Sequence, residues 1–288
     1  MTSSSAQATG SLPNLVIIGA AKSGTTSLHR YLALHPSVYM SRTKELKLFI
    51  HEDWRARLDW YRAQFPSSAR VRGESSPAYT MHPWFPSVPE RINETVPGAR
   101  LIYLVRDPVD RLLAQYVEFV ALLLERRPLQ EALADYDSPS NRFVMASRYA
   151  HQLDRYRELF PDSQILVLDQ QDLLASRQTT LREVFAFLGV EPDFSTPDFD
   201  LVHNDRERKL QANRRGLWLH ERGLLRPARR ATRVLPDGLR ERLKSVVAEP
   251  VSTPDLDPLL RSELQECLRE DAERLRAYTG KPFARWSV

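Results

Sequence analysis

Cysteine is nearly absent from this sequence, with Cys267 the only example among 288 residues. One thiol makes neither an internal disulfide nor a zinc cluster, so we expect a chain that folds in a reducing compartment, the cytoplasm. Long apolar runs are also absent, and no stretch approaches the roughly 20 apolar residues of a membrane-spanning helix. Residues 1–13 lack the basic start and apolar centre of a signal peptide, and we predict a disordered tail there.

Charge of one sign is scarce as well, because the formal net charge is only +4. Most of the basic residues are arginine, which suits bidentate contacts with phosphate groups. The surplus is too small and too scattered to predict binding to nucleic acid. Hydrophobic residues make up 42% of the chain, which is enough for a full-sized core without disulfides or a structural metal. Repeats and sharp breaks in composition are lacking, so we predict one domain over residues 14–288.

Short apolar runs alternate with amphipathic stretches along the chain, which is typical of an α/β fold. The predicted strands are 15–18, 71–73, 101–105 and 165–168, and the predicted helices are 25–34, 108–125, 147–159, 179–188 and 256–278. The run 101–105 is apolar throughout, as expected of a central parallel strand that is buried on both faces. We therefore predict a P-loop-like central parallel sheet flanked by helices on both faces.

A glycine-containing loop, residues 19–27, joins the first predicted strand to the first predicted helix. Backbone N–H groups at the start of a helix bind phosphate oxygens. The loop keeps the spacing between the two glycines of an ATP-binding P-loop, but Thr25 stands where that motif has its lysine. Lys22 instead precedes the second glycine, so it would meet a phosphate from the other side of the loop.

This loop resembles the 5′-phosphosulfate loop of the sulfotransferases that use 3′-phosphoadenosine 5′-phosphosulfate (PAPS). Other segments are similar to the branch of that family that includes the heparan sulfate sulfotransferases. These segments are Lys44-Glu45 with Phe49, residues 73–79, residues 106–111, residues 187–189 and residues 280–286. The resemblance implies in-line transfer of a sulfuryl group from PAPS to a hydroxyl or amine, with release of 3′,5′-ADP and without a metal.

The resemblance also assigns the residues that would bind the donor. They are Lys22, Ser23, Gly24, Thr25, Thr26 and Ser27 in the loop, Arg106 for the 3′-phosphate, and Arg208, Lys209 and Arg214 in a late basic loop. Lys22 is expected to stabilise the charge that develops on the leaving group. The family usually has a serine eight residues after Arg106, whereas this chain has Ala114. The late loop is the candidate substitute, and a solvated basic loop is the alternative interpretation.

Glu45 is the expected catalytic base, because the matching segment supplies the base in the resembling branch. A partly buried glutamate can also have its pKa raised toward neutral. Histidine is the base in other branches, so His51, His82 and His203 stay open as alternatives. Lys44, Glu74 and Trp84 are the predicted acceptor contacts, although Lys44 and Glu74 fit solvated salt bridges equally well. A small molecule, a lipid or a saccharide all fit as the acceptor, and the oligomeric state is not indicated.

Two other functions remain open at this point. A P-loop kinase or NTPase is favoured by the strand 165–168, which ends in Asp169, a residue able to hold a metal. The displaced Lys22 and the arginine at position 106 oppose it. A non-catalytic nucleotide-binding relative is favoured only by Ala114, and the presence of both Lys22 and Glu45 opposes it.

Overall fold

The computed structural model describes residues 10–66, 68–201, 210–212, 248–250 and 254–288. The site predictions for Arg208, Lys209 and Arg214 and the alternative base His203 lie outside these residues, as do residues 1–9 of the predicted tail.

Five parallel strands form the central sheet, in the order β2-β3-β1-β4-β5. The strands are β1 Leu15–Gly19, β2 Val38–Met40, β3 Val71–Ser75, β4 Arg100–Val105 and β5 Ile165–Asp169. After β1 the chain passes to the edge strand β2, returns through β3 to the side of β1, and then continues on the other side through β4 and β5. The reversal of direction at β1 makes it and its neighbours the switch point where α/β sheets bind ligands. The predicted parallel sheet is confirmed. Strand β2 was not predicted, because its three residues are too few to show a pattern in the sequence.

The helices and one small ribbon complete the described structure. The α-helices are α1 Thr25–Ala33, α2 Leu58–Arg62, α3 Val88–Thr95, α4 Pro108–Ala121, α5 Leu129–Ala132, α6 Arg142–Met145, α7 Tyr149–Arg157, α8 Gln170–Ala175, α9 Arg177–Leu188, α10 Asp198–Leu201 and α11 Pro258–Thr279. Short 3₁₀ segments are Leu48–Ile50, Trp54–Arg57, Pro77–Thr80 and Asp162–Gln164. An antiparallel pair joins β6 Leu210–Ala212 to β7 Ala248–Pro250.

Two hydrophobic cores cover the two faces of the sheet. On β1, Val16 and Ile18 point into one core, which also holds buried side chains of α3, α4, α7 and α11. The alternate residues Leu15 and Ile17 point into the other core, with buried side chains of α1, α8 and α9. This alternation follows the two-residue period of a strand, and it confirms helices on both faces. Among the described residues, none of the helices is long and apolar enough to cross a membrane.

Two predicted boundaries need correction. Residues 10–13 do not belong to a disordered tail, because Gly10 pairs with Pro66 and the N–H of Ser11 donates to the carbonyl of Phe65 over 3.2 Å. These partners lie more than 50 residues away, where local composition gives no sign of them. Helix α4 ends at Ala121 rather than near residue 125, and Leu123 just beyond it has a left-handed φ of 59° that interrupts the helix.

Candidate active site

The loop between β1 and α1 lies at the carboxyl edge of the central strand, and its two glycines are required by its geometry. A Cβ on Gly19 would lie 2.0 Å from the Oγ1 of Thr80, so only glycine fits there. Gly24 is the N-cap of α1 and has a φ of 91°, a left-handed conformation that favours glycine. Within the described part of the chain no side chain caps α1, so the N–H groups of Thr25 and Thr26 in its first turn lack an intrahelical acceptor.

The side chains of this loop fit a phosphate group. Ser23 is fully buried, and its hydroxyl has no hydrogen-bond partner among the described residues. A buried hydroxyl without a partner costs about 1–3 kcal/mol, which a bound phosphate oxygen would offset. Thr25 and Ser27 are also buried, whereas Thr26 is exposed. The structure therefore brings together the predicted loop residues in an arrangement suited to an anion.

Lys22 reaches across the cleft from this loop to α4. Its Nζ donates to Oε1 of Glu118 over 3.0 Å, and both side chains are partly exposed. Its backbone carbonyl accepts from Nη1 of Arg106 over 3.3 Å. The structure thus joins the two predicted donor-site cations, and it adds Glu118, which sequence reasoning missed. The one available signal was that Glu118 follows Ala114 by four residues and so shares a helix face with it.

Arg106 directly follows β4, as expected for a residue at the ligand crevice of the sheet. Its Nη2 pairs with Oδ2 of Asp110 over 3.1 Å, and the hydroxyl of Tyr149 donates to its carbonyl over 2.9 Å. Because Asp110 is half exposed, this ion pair contributes little and leaves the guanidinium able to meet a phosphate. Ala114 lies farther along α4 and is partly exposed, so the missing serine leaves an open position and no buried defect.

Arg111, at the end of the same motif, has a structural role. It is fully buried, and its donors meet the hydroxyl of Ser147 at 2.7 Å, Oε1 of Gln115 at 2.6 Å and the carbonyl of Phe143 at 2.5 Å. Burial lowers the pKa of its guanidinium. These contacts fix the beginning of α4 against α6, and they stabilise the turn that carries Arg106.

Glu45 lies in an irregular segment beside the carboxyl end of β3. Glu45 and Lys47 both have left-handed backbone conformations, with φ angles of 63° and 53°. The Glu45 carboxylate accepts from Nζ of Lys44 at 2.9 Å and from Nζ of Lys47 at 2.8 Å. Two lysines therefore hold the predicted base, and the amine of Lys44 is engaged within the segment.

The expected rise in the pKa of Glu45 is wrong for this structure. Burial alone would raise the pKa, but hydrogen bonds from Lys47 and Lys44 outweigh it, and the pKa is lowered from its ordinary 4.5. Glu45 is thus ionised at neutral pH, and each of its carboxylate oxygens accepts one hydrogen bond from a lysine and keeps a further lone pair. Its role as the base stays a prediction.

Glu74 was predicted to contact the acceptor, and the structure contradicts this. Its carboxylate is fully buried and accepts from the hydroxyls of Tyr61 at 2.7 Å, Tyr79 at 2.9 Å and Ser76 at 2.7 Å. Such a group cannot meet an acceptor without unpacking the core. Lys44 and Trp84 are partly exposed, and their acceptor contacts stay predictions.

The alternative bases are not tied to this centre. Among the described residues, no hydrogen bond joins the ring of His51 or His82 to Lys22 or Glu45. Burial lowers the pKa of His82, and its ring lies 5.4 Å from that of His151.

The kinase interpretation loses its main feature as well. Asp169 caps helix α8, with Oδ1 accepting the N–H of Gln171 at 3.0 Å, and it is almost fully buried.

Comparison with known sequences identifies a single family. A family model described as a sulfotransferase domain matches residues 12–213. Curated relatives include the bifunctional heparan sulfate N-deacetylase/N-sulfotransferase 1 of Caenorhabditis elegans, 29% identical over 200 residues and 64% of this chain. The human bifunctional heparan sulfate N-deacetylase/N-sulfotransferase 2 is 29% identical over 202 residues, which cover 63% of this chain. The matches span only 23% and 22% of those longer proteins.

Comparison with solved structures gives the same fold. The crystal structure of a sulfotransferase from Alicyclobacillus acidocaldarius matches with a TM-score of 0.67. The match covers 96% of this chain and all of that one, at 24% sequence identity. The overall fold is therefore one that is already found in a solved sulfotransferase structure.

Proposed function

This chain belongs to the family of sulfotransferase domains, and on that premise we propose that PAPS is its sulfuryl donor. The transfer is an in-line displacement to a hydroxyl or amine of a small-molecule, lipid or saccharide acceptor, and it releases 3′,5′-ADP. The comparisons favour neither the P-loop kinase nor the non-catalytic relative. The single cysteine supports a cytoplasmic location.

One observation carries the donor assignment: the β1–α1 loop combines a lysine, a helix start and a buried hydroxyl, and neither the helix start nor the hydroxyl has a side-chain partner among the described residues. The N–H groups of Thr25 and Thr26 and the hydroxyl of Ser23 supply hydrogen-bond donors for the 5′-phosphate. Arg106, whose guanidinium lies against the carbonyl of Lys22, supplies the cation for the 3′-phosphate. This second phosphate distinguishes PAPS from ATP.

PAPS supplies the activated sulfuryl group, and the chain supplies positioning and charge. Sulfuryl transfer resembles phosphoryl transfer, in which a loose transition state makes positioning and electrostatics dominant. As the bond between sulfur and the bridging oxygen breaks, its electron pair remains on that oxygen. Lys22 leaves Glu118 and stabilises this developing charge, a contribution that is typically worth ~2.7–4 kcal/mol. A less highly charged sulfuryl group needs no Mg²⁺, and we propose a metal-free reaction.

Glu45 accepts the proton that the acceptor loses as its oxygen or nitrogen bonds to sulfur. The carboxylate is already ionised and keeps lone pairs beside those that accept from the two lysines, and an acceptor that displaces Lys44 or Lys47 removes one of these hydrogen bonds. Loss of a lysine hydrogen bond raises the pKa of Glu45 toward its ordinary value and makes it a stronger base. Lys44 and Trp84 then border the acceptor.

The test is incubation of the purified protein with ³⁵S-labelled PAPS in EDTA and a panel of acceptors. The panel contains hydroxylated metabolites, lipids and saccharides. De-N-sulfated heparan sulfate, which bears free amines, is tested first because the relatives are named as heparan sulfate N-sulfotransferases. We expect a sulfated product, identified by mass spectrometry, together with 3′,5′-ADP. Release of phosphate from ATP in Mg²⁺, without any sulfated product, would contradict the proposal.

A further inference from the structure

We propose that Glu74 is a positioning residue that acts through Ser76 to fix the backbone carrying Glu45. The sequence placed Glu74 among the acceptor contacts, whereas the structure gives it three hydroxyl partners and no exposure to solvent. A buried carboxylate at the centre of such a network needs a reason, because burial raises the pKa of Glu74 and opposes its charge.

The two carboxylate oxygens of Glu74 face different parts of the molecule. Oε1 accepts from the hydroxyls of Tyr61 in α2 and Tyr79 in the 3₁₀ segment after β3, which fixes the carboxylate in the core. Oε2 accepts from the hydroxyl of Ser76 over 2.7 Å. Because Ser76 donates its one proton there, the lone pairs of its oxygen are directed away from Glu74.

The hydroxyl of Ser76 passes this orientation to the segment that carries Glu45. Its oxygen accepts the backbone N–H of Lys47 over 3.0 Å. The N–H of Glu45 donates to the carbonyl of Ser75, the last residue of β3, also over 3.0 Å. Leu46, between these two anchors, is 6% exposed and faces the core. The end of β3 therefore holds the segment on both sides of Leu46.

This anchoring matters because the segment is held in an unfavourable conformation. Glu45 and Lys47 are both left-handed without being glycine, a state that persists only where surrounding contacts impose it. The N–H of Ser76 also donates to the carbonyl of Ile17 in β1, over 3.1 Å. Since β1 leads directly into the donor loop, Ser76 fixes the Glu45 segment relative to Lys22, and Glu74 fixes Ser76.

The experiment compares substitutions on the two sides of the same carboxylate. Ser76→Ala removes the link to the Glu45 segment, and Ser76→Thr keeps a hydroxyl. Tyr61→Phe removes one hydrogen bond from the other carboxylate oxygen and serves as the matched control. Glu74→Gln tests the buried carboxylate itself. If this variant does not fold, the comparison of Ser76→Ala with Ser76→Thr still tests the positioning role.

Three readouts need no knowledge of the natural acceptor. Hydrogen exchange read by mass spectrometry reports protection of the peptide that contains residues 44–49. Slow hydrolysis of PAPS, in which water is the acceptor, reports catalysis, and calorimetry with 3′,5′-ADP reports donor binding. This inference rests on the proposed function through Glu45, so Glu45→Gln is included as the reference for a lost base.

We expect Ser76→Ala to raise exchange in that peptide at least tenfold and to slow PAPS hydrolysis about tenfold, since small displacements of a reacting group are costly. Binding of 3′,5′-ADP should change less than twofold, and Ser76→Thr should restore both readouts. Tyr61→Phe should lower the melting temperature without either change. Wild-type exchange in Ser76→Ala, or equal changes in Tyr61→Phe, would overturn the positioning role. Unchanged hydrolysis in Glu45→Gln would instead refute the proposed base, and the exchange data would still test Glu74.

Discussion

The two halves of the site are built in different ways. The donor region, residues 19–27 with Arg106, joins regular elements, and its geometry follows from two strand ends, a helix start and two left-handed residues, Lys22 and Gly24. The acceptor region, residues 44–49 with 74–79, is irregular and has two left-handed residues that are not glycine. A buried carboxylate and a serine hydroxyl hold it in place. The 5′-phosphate part of the donor site thus relies on the local backbone of one loop and helix start, whereas the position of the Glu45 segment relies on Glu74 and Ser76, about 30 residues later in the sequence.

This difference predicts that substitutions in the acceptor region affect turnover and leave nucleotide binding intact. The largest effect is expected from Glu45→Gln, which keeps the shape and removes the base. Turnover should fall by ~10²–10⁴, while calorimetry should find the affinity for 3′,5′-ADP unchanged. Glu52→Gln, at a highly exposed position seven residues later, is the control and should behave as wild type.

The pH dependence of turnover separates Glu45 from a histidine base. Burial raises the pKa of Glu45, but the hydrogen bonds from Lys47 and Lys44 lower it by a larger amount. The net result is a pKa below the ordinary 4.5. The base therefore stays ionised as the pH falls from 8 to about 5, and turnover should stay level across that window. A decline in turnover within that window would contradict Glu45 as the base and indicate a histidine instead.

Lys22→Ala is expected to have the next largest effect, and it tests whether the donor region itself separates binding from chemistry. Turnover should fall at least ~100-fold, because the lysine acts on the leaving oxygen. Binding of 3′,5′-ADP should persist, since the helix start and Ser23 still meet the 5′-phosphate. Lys22→Arg keeps the charge and should retain more activity. Turnover within about threefold of wild type for Lys22→Ala would remove the lysine from the mechanism.

Ala114→Ser should have a smaller effect, which is an increase in the affinity of the donor region for 3′,5′-ADP. Residue 114 is partly exposed on α4, two turns from the end of β4, so a serine there can donate one hydrogen bond to the 3′-phosphate. A hydrogen bond to a charged oxygen contributes ~1.5–3 kcal/mol at best. We expect affinity for 3′,5′-ADP to rise several-fold and affinity for 5′-AMP to stay constant. Equal tightening of both ligands would show that position 114 does not face the 3′-phosphate.

The smallest effect is expected from Glu118→Gln. Lys22 gives up its ion pair with Glu118 when it turns toward the donor, and a partly exposed pair contributes ~0.2–1 kcal/mol. The KM for PAPS should therefore fall a few-fold in steady-state kinetics. A higher KM would mean that Glu118 orients the lysine and does not compete for it.

Sequence reasoning succeeded where structure is encoded locally. Apolar runs predicted three of the five strands, and residues 71–73 were predicted as a short fourth strand. The loop from Gly19 to Thr26 was recognisable because glycine, lysine and hydroxyl residues follow one another in the chain. The three-residue strand β2 was too short to give a pattern. The order of the strands was also not predicted, because it depends on how distant segments pair.

The acceptor region was harder to predict because its chemistry depends on distant partners. Glu74 lies in a recognisable motif, but nothing local indicates that Tyr61, 13 residues earlier, donates to it in the core. The pKa of Glu45 was predicted in the wrong direction because the sequence shows neighbouring lysines without showing that both contact the carboxylate. The donor region has one such contact as well, because Lys22 pairs with Glu118 across 96 residues, and the position of Glu118 four residues after Ala114 was its only local signal.

The most direct test of the donor site is calorimetric titration of 3′,5′-ADP and of 5′-AMP, in EDTA, into the wild-type protein and Arg106→Ala. We expect the wild-type protein to bind 3′,5′-ADP far more tightly than 5′-AMP without any metal, because the 3′-phosphate meets Arg106. The Arg106→Ala protein should bind the two nucleotides alike. If Arg106→Ala weakens both nucleotides equally, or if the wild-type protein does not distinguish them, the 3′-phosphate lies elsewhere and the proposed PAPS site is wrong.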